Sequence, residues 1–403
     1  MLGIAVRIAQ RMGINNESAL AKCTPFEAEM RRRLWWPLML FDTRMAELAF
    51  SKILTLEPSW DCKIPLNVND ADLRPEMKAP PATRREPTDA IFAVARCELG
   101  DYVRHTSIHL DFQNPALKPL AKYAYDGLDF ESGHLLGLEE TIEDRYLKLC
   151  DQENPIHFMA TWTTRALLAK YRILEQQLRL SSSLTRRVEA QYDAATASAI
   201  RMLECDTKIM ASPLTKGYVW FNKINFPFPA YYQIAQDLRR RPTNDQAQQA
   251  WDCMSDSWEA WSSTYVSTDS PVFQLMAKII LQAWEACEVA SKPLGQTLMV
   301  PRIVSSIRHA LAQTAETIQN TATEGTKNTM DMATNEFPTS TLTSTPMPVG
   351  FPNHHLPYGM GTQNGYAWMR PDMSSSYGAP GQDSLDNHID QIDWAGFGPW
   401  PGW

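Results

Sequence analysis

The chain has seven cysteines, and no two of them are close together. They stand at 23, 62, 97, 150, 205, 253 and 287, so no Cys-x-x-Cys clip exists and no zinc finger or zinc cluster can be read in these 403 residues. An odd number of widely spaced Cys points to free thiols in a reducing compartment. No run reaches 18 apolar residues, so no membrane span is predicted. The His-Glu-x-x-His, Gly-x-Ser-x-Gly and phosphate-loop patterns are missing, and with them the common catalytic templates. A basic excess is missing too. The chain holds 38 Lys+Arg against 46 Asp+Glu, a net of −8, whereas a nucleic-acid surface needs positive charge.

Glycine is scarce where the chain is rich in helical pattern. Residues 1–320 contain 8 Gly, and residues 321–403 contain 10 Gly and 9 Pro. The latter stretch, with its Thr339–Thr345 run of Thr, Ser and a single Leu, cannot bury enough apolar surface to offset ordering entropy, so we expect a disordered tail. The charge is divided in the same way. From Pro371 onward there are five Asp and no Lys, Arg or Glu, which leaves the body nearly neutral.

The first 320 residues read as helix throughout. Met1–Gly13 is an amphipathic helix. Thr24-Pro25-Phe26-Glu27 combines a cap, a first-turn Pro and a Glu three residues on. After it, Phe26, Met30, Leu34, Leu38, Phe41 and Met45 recur at three or four, which predicts the inward face, with Pro37 kinking the helix. Further helices are expected over about 88–112, about 134–152 (Leu135, Leu138, Ile142, Tyr146 and Leu149 inward), from Asn154-Pro155, and over about 184–210. Three more open at a Thr243/Gln246 capping box, at Ser270-Pro271 and at Pro301. Alternating strand patterns are absent. The fold class is all-α, a multi-helix domain with a disordered C-terminal tail.

Four features offer chemistry. Glu139, Glu140, Glu143 and Asp144 stand at helical spacing and would chelate magnesium if a facing acidic motif existed. A solvated helix face near a positive dipole end is the plainer use, because no such partner motif is visible. Arg31-Arg32-Arg33 would suit phosphate, but Glu27 and Glu29 offer i,i+4 partners to Arg31 and Arg33. Trp251, Trp258 and Trp261 form a stripe that would line an apolar pocket or, more simply, a core. The fourth feature is the segment 383–403, which interleaves Asp383, Asp386, Asp390 and Asp393 with Leu385, Ile389, Ile392, Trp394, Phe397 and Trp400. Repulsion among the carboxylates keeps the bulky side chains in water and free to enter a partner's groove. Those six apolar residues are the expected coactivator-binding anchors, as in acidic-hydrophobic activation segments.

Three pieces of the N-terminal region together resemble a known family. They are Gly3–Gln10 with Met12-Gly13-Ile14; Pro25-Phe-Glu-Ala-Glu-Met-Arg31-Arg-Arg-Leu-Trp-Trp36 followed by Leu40-Phe41-Asp42; and Ile64-Pro-Leu-Asn-Val-Asn-Asp70-Ala-Asp72-Leu73. In this order and at these intervals they resemble the middle homology region of fungal zinc-cluster transcription factors, the fungal-specific transcription factor domain. The resemblance implies a nuclear, DNA-dependent transcription regulator and not an enzyme. Its helical body would be regulatory and its end would recruit transcriptional coactivators, with a homodimer or a related regulator as further partner and no membrane. It also implies a six-cysteine zinc cluster and dimerisation coil near the N-terminus. No residue here matches a zinc ligand or a base-contacting position, so zinc and DNA belong to a module expected to be missing from this chain. A truncated gene model is favoured over a natural protein without that module. Two alternatives stand beside this reading: an all-helical magnesium-dependent enzyme using the 139–144 carboxylates, and a DNA-free adaptor that pairs with a full-length regulator.

Overall fold

The computed structural model describes residues 1–48, 60–105, 133–182, 189–262, 271–294 and 298–314. The regular elements among them are helices: α1 (Leu2–Arg11), α2 (Glu17–Leu20), α3 (Pro25–Leu48), α4 (Ile91–His105), α5 (Gly133–Arg145), α6 (Pro155–Ser182), α7 (Glu189–Ala211), α8 (Val219–Ile224), α9 (Phe228–Arg240), α10 (Ala247–Ser262) and α11 (Pro271–Ser291). A twelfth, α12, covers 302–314. No strand occurs among the described residues, so the fold is all-α as the pattern predicts. No helix among them is long and apolar enough to cross a membrane.

Local signals explain most of the helix ends. Thr24 accepts the Glu27 N–H at 3.2 Å at the start of α3. Asn154 accepts the N–H groups of Ile156 and His157 at 2.9 and 3.3 Å at the start of α6. α1 ends in a Schellman turn: Gly13 N–H bonds the Gln10 carbonyl and Ile14 N–H bonds the Ala9 carbonyl, at 2.9 and 3.1 Å. Gly13 takes φ +67° there, a left-handed conformation that a side chain resists, and it delivers Ile14 into the core.

Buried apolar residues form three main cores and a small fourth cluster of Met159, Ile209 and Phe221, with α6 contributing to all but the core around α3. The largest is built from α6, α7, α9, α10, α11 and α12, and it includes Tyr231, Trp251, Trp258, Trp284 and Ile303. A second fills the space between α4, α5 and α6. A third joins α1, α2 and α3 around Trp35 and Trp36. The Trp251, Trp258, Trp261 stripe is therefore buried core. All seven Cys are free and six are buried. Burial pushes the Cys205 thiol up to about 11 and those of Cys62 and Cys253 to about 12, which keeps them as unreactive thiols.

Four expectations need correction. The Phe26–Met45 stripe of α3 is not its inward face: Met30, Leu34 and Phe41 are exposed, and Trp35, Trp36, Met39 and Ala46 are buried instead. The two adjacent indoles decide the rotation, because each meets Trp60 edge-on, at 5.5 and 5.2 Å. α5 stops at Arg145 and yields to a 3-10 turn, so that Leu147 is buried and Leu149 is exposed. α10 starts at Ala247, not Thr243; the oxygen of Gln246 that a capping box needs has no hydrogen-bond partner among the described residues. α4 starts at Ile91, because Thr88 turns its hydroxyl to Asn67. The expected helical residues 106–112 and 184–188 lie outside the described residues, as does the whole predicted tail.

Candidate functional site

The residues that carry the family resemblance form one structural clasp. Along α3, Glu27 pairs with Arg31 at 2.5 Å and Glu29 with Arg33 at 3.1 Å, as their i,i+4 spacing predicts. Arg32 lies on another face and grips both oxygens of Glu17 at 2.8 and 2.6 Å. Burial acts to raise the Glu17 carboxyl, but Arg32 and the Lys63 N–H outweigh it and hold it below the usual range. These carboxylates also hold the following loop. Glu17 accepts the Lys63 N–H at 2.8 Å, and Glu29, only 1% exposed, accepts the Leu66 N–H at 3.0 Å. Trp36 donates its indole N–H to the Lys63 carbonyl at 2.9 Å. Farther on, Asn67 donates to the carbonyls of Arg84 and Glu86 and accepts from the Thr88 hydroxyl, and Asp72 receives the Arg84 guanidinium. The Arg run thus works within the fold, with each guanidinium engaged by a carboxylate.

The acidic residues of α5 serve a similar purpose. Glu139 pairs with Arg172 and Glu143 with Arg165, both across to α6, while Asp144 pairs with Lys148 and Glu140 is exposed. The carboxylates point to separate cations and do not converge. Among the described residues no group of three or more His, Cys, Asp or Glu is placed to hold a metal ion.

A different constellation converges without any sequence motif. A cavity of about 40 Å³ lies between α3, α6, α7, α8 and the turn into α9. Its walls are largely apolar, including Leu167, Met202, Ile209, Phe221 and Phe226. Six polar side chains also line it: Arg44, Thr163, Lys170, Asp206, Asn222 and Asn225, the last donating to the Phe221 carbonyl at 2.9 Å. Lys170 places its ammonium 2.7 Å from both oxygens of Glu47, to which Arg44 also donates at 2.7 Å. Burial alone would raise the Glu47 carboxyl, but these two cations bring it down to about 2. Arg44 further donates to the Ile224 carbonyl at 2.5 Å, which ties α3 to α8.

Thr163, Asp206 and Asn222 are less well satisfied. Asp206 is 7% exposed and takes one hydrogen bond among the described residues, from the Trp261 indole at 2.6 Å. Burial pushes its carboxyl up to about 7, with Trp261 opposing only in part. The Asn222 amide nitrogen and the Thr163 hydroxyl are buried and have no hydrogen-bond partner among the described residues. Sequence reasoning missed all three. The available signal was an acid on the apolar stripe of Ala199, Met202, Leu203 and Ile209, and nothing local links it to Thr163 or Asn222. The anchors predicted in the tail, Leu385, Ile389, Ile392, Trp394, Phe397 and Trp400, lie outside the described residues.

No protein-family model and no solved structure matches the chain. Among curated proteins it is 46% identical over 316 residues to the transcriptional regulator AacuB of Aspergillus aculeatus, covering 78% of this chain and 42% of that protein. It is 38% identical over 409 residues to the transcriptional regulator nsrM of Aspergillus novofumigatus, covering 98% and 53%. It is 26% identical over 369 residues to the aurofusarin cluster transcription factor aurR2 of Gibberella zeae, covering 90% and 52%. The chain spans about half the length of the curated relatives it matches. It is thus similar along most of its length to fungal proteins named as transcription regulators.

Proposed function

We propose that this chain is the regulatory and activating portion of a nuclear fungal zinc-cluster transcription regulator and has no catalytic role. Its helical body corresponds to the middle homology region of that family, and its segment 383–403 recruits coactivator. DNA contact falls to a zinc-cluster module that these 403 residues do not include, in keeping with the lack of any Cys-x-x-Cys pair. The observation that carries the reading is the 38% identity to a named transcriptional regulator over 98% of the chain. The clasp supports it, because the motif residues prove to be the ones that fasten α1, α2, α3 and the 60–73 loop together.

The test fuses residues 371–403 to an unrelated DNA-binding domain in a reporter strain. The fusion should activate, and Trp394→Ala with Phe397→Ala should lower activation more than Asp390→Asn alone. A silent fusion at normal expression would remove the activating role. Homodimerisation or pairing with a related regulator is checked by co-purification of two differently tagged copies.

A further inference from the structure

We propose that the outer face of α1, extended by Leu34 of α3, is a docking surface for the acidic-apolar segment 383–394 of this same chain. The proposal rests on the make-up of the two partners and not on the segment's recruiting a coactivator. The reporter fusion, which lacks α1, reads that role separately.

The surface is apolar where a helix is ordinarily polar. α1 turns Val6 and Ala9 inward and leaves Ile4, Ile8 and Met12 outside, at 60%, 53% and 53% exposure. Their spacing of four aligns them on one stripe. On α3, the stripe that periodicity assigns to the core also stands outside, with Leu34 exposed. Arg31 joins the two helices by donating to the Met12 carbonyl at 3.5 Å, and Leu34 lies one turn beyond Arg31 on the same side of α3. Half of the large apolar side chains that are exposed among the described residues lie within residues 1–41. Such a concentration marks a contact surface, whereas scattered single residues do not.

Charge selects the occupant. Arg7 directly precedes Ile8 and Arg11 directly precedes Met12; both are exposed, and neither has an ion pair among the described residues. The arginines of α3, by contrast, are engaged by carboxylates. Segment 383–394 has the converse pattern. Leu385, Ile389 and Ile392 recur at four and three, and Asp386, Asp390 and Asp393 directly follow them. An apolar stripe with an acidic flank fits an apolar stripe with a basic flank, so one helix-on-helix contact buries the apolar groups and pairs the charges. From Pro371 onward no Lys or Arg competes for those acids. A second copy of the chain would instead bring another Arg7 and Arg11 to the contact. Roughly 70 residues separate Thr314 from Asp383, enough to carry the segment to α1.

The test is limited chymotrypsin digestion of the full chain, with cleavage after Trp394 followed by mass spectrometry. A segment docked about nine-tenths of the time is cut about tenfold more slowly than a free one, so Arg7→Glu with Arg11→Glu should speed this cleavage by about that factor. Ile4→Ser with Ile8→Ser should do the same. All four residues are exposed, so Tm should stay near that of the unchanged chain. Adding Asp386→Arg and Asp390→Arg to the Arg7→Glu, Arg11→Glu chain should restore slow cleavage. Equal rates in the unchanged chain and both double variants, or no restoration by the reversed charges, would overturn the proposal. Protection that rises with chain concentration would assign the contact to a second copy and overturn it as well.

Discussion

The ammonium of Lys170 sits 2.7 Å from both carboxylate oxygens of Glu47, joining positions 123 residues apart. Lys170 is 7% exposed, so each ion is compensated mainly by the other and by Arg44. This triad fastens the end of α3 to the middle of α6, and its two cations, Arg44 and Lys170, line the cavity. A carboxylate between two cations in a poorly hydrated place is a strict geometric requirement, because losing one partner leaves a buried charge.

Glu47→Gln should therefore destabilise the chain by about 3–5 kcal/mol, seen as a lower urea midpoint at unchanged slope. Replacing both partners, with Glu47→Leu and Lys170→Met, should recover most of that loss, since no buried charge is then orphaned. The pH sign follows from the direction of the shift. The Glu47 carboxyl lies at about 2 in the folded state against its ordinary 4.5, so its contribution is present above about pH 4.5. It is lost as the pH falls toward 2, and Glu47→Gln should flatten that acid limb.

Asp206 works in the opposite sense. Its folded carboxyl is raised to about 7 from an ordinary 3.8, so the native state holds a proton that the unfolded chain has released. Stability from this group is full below about pH 4 and declines as the pH rises to about 7. Asp206→Asn keeps an oxygen for the Trp261 indole and carries no charge. It should leave stability nearly unchanged at pH 4 and raise it by a few kcal/mol at pH 8, measured by denaturant titration at both pH values. Equal effects at the two pH values would contradict a buried, proton-holding carboxyl.

Much of the framework was legible in the sequence, because the relevant forces act over one helical turn. The Thr24 and Asn154 caps, the Glu27/Arg31 and Glu29/Arg33 pairs, and the buried stripe of α10 are all of this kind. The face of α3 was misread because periodicity alone weighs Met30, Leu34 and Phe41 as heavily as Trp35 and Trp36. The decision belongs to Trp60, which lies beyond the helix and binds the indoles. The cavity was not legible at all. Thr163, Asp206 and Asn222 sit on three separate helices, and only tertiary packing brings them to the lining of one cavity.

Gly13 tests the motif at its backbone. Its φ of +67° is strained for any side chain, and an added Cβ would stand 3.0 Å from that of Ala19. Gly13→Ala should cost about 1–2 kcal/mol and lower Tm while leaving helix content by circular dichroism nearly intact. Gly13→Asn should cost less, because Asn tolerates the left-handed region better. A cost that is the same for both would mean that crowding against Ala19, and not the dihedral, sets the preference for Gly.

Glu29 tests the motif at its side chains. It is buried, and one oxygen accepts from both the Arg33 guanidinium at 3.1 Å and the Leu66 N–H at 3.0 Å. Arg33 in turn reaches Asp70 at 2.6 Å, so this carboxylate couples α3 to the loop that ends at Leu73. Glu29→Ala leaves the Leu66 N–H without an acceptor and deprives Arg33 of its inner partner, which should cost about 3 kcal/mol. Glu29→Gln retains an acceptor and should cost roughly half as much. A double-mutant cycle with Arg33→Met should return a coupling of about 1–3 kcal/mol. Coupling near zero would mean that the pair is placed for contact with another molecule, and the clasp would then have to be reconsidered as a surface for a partner.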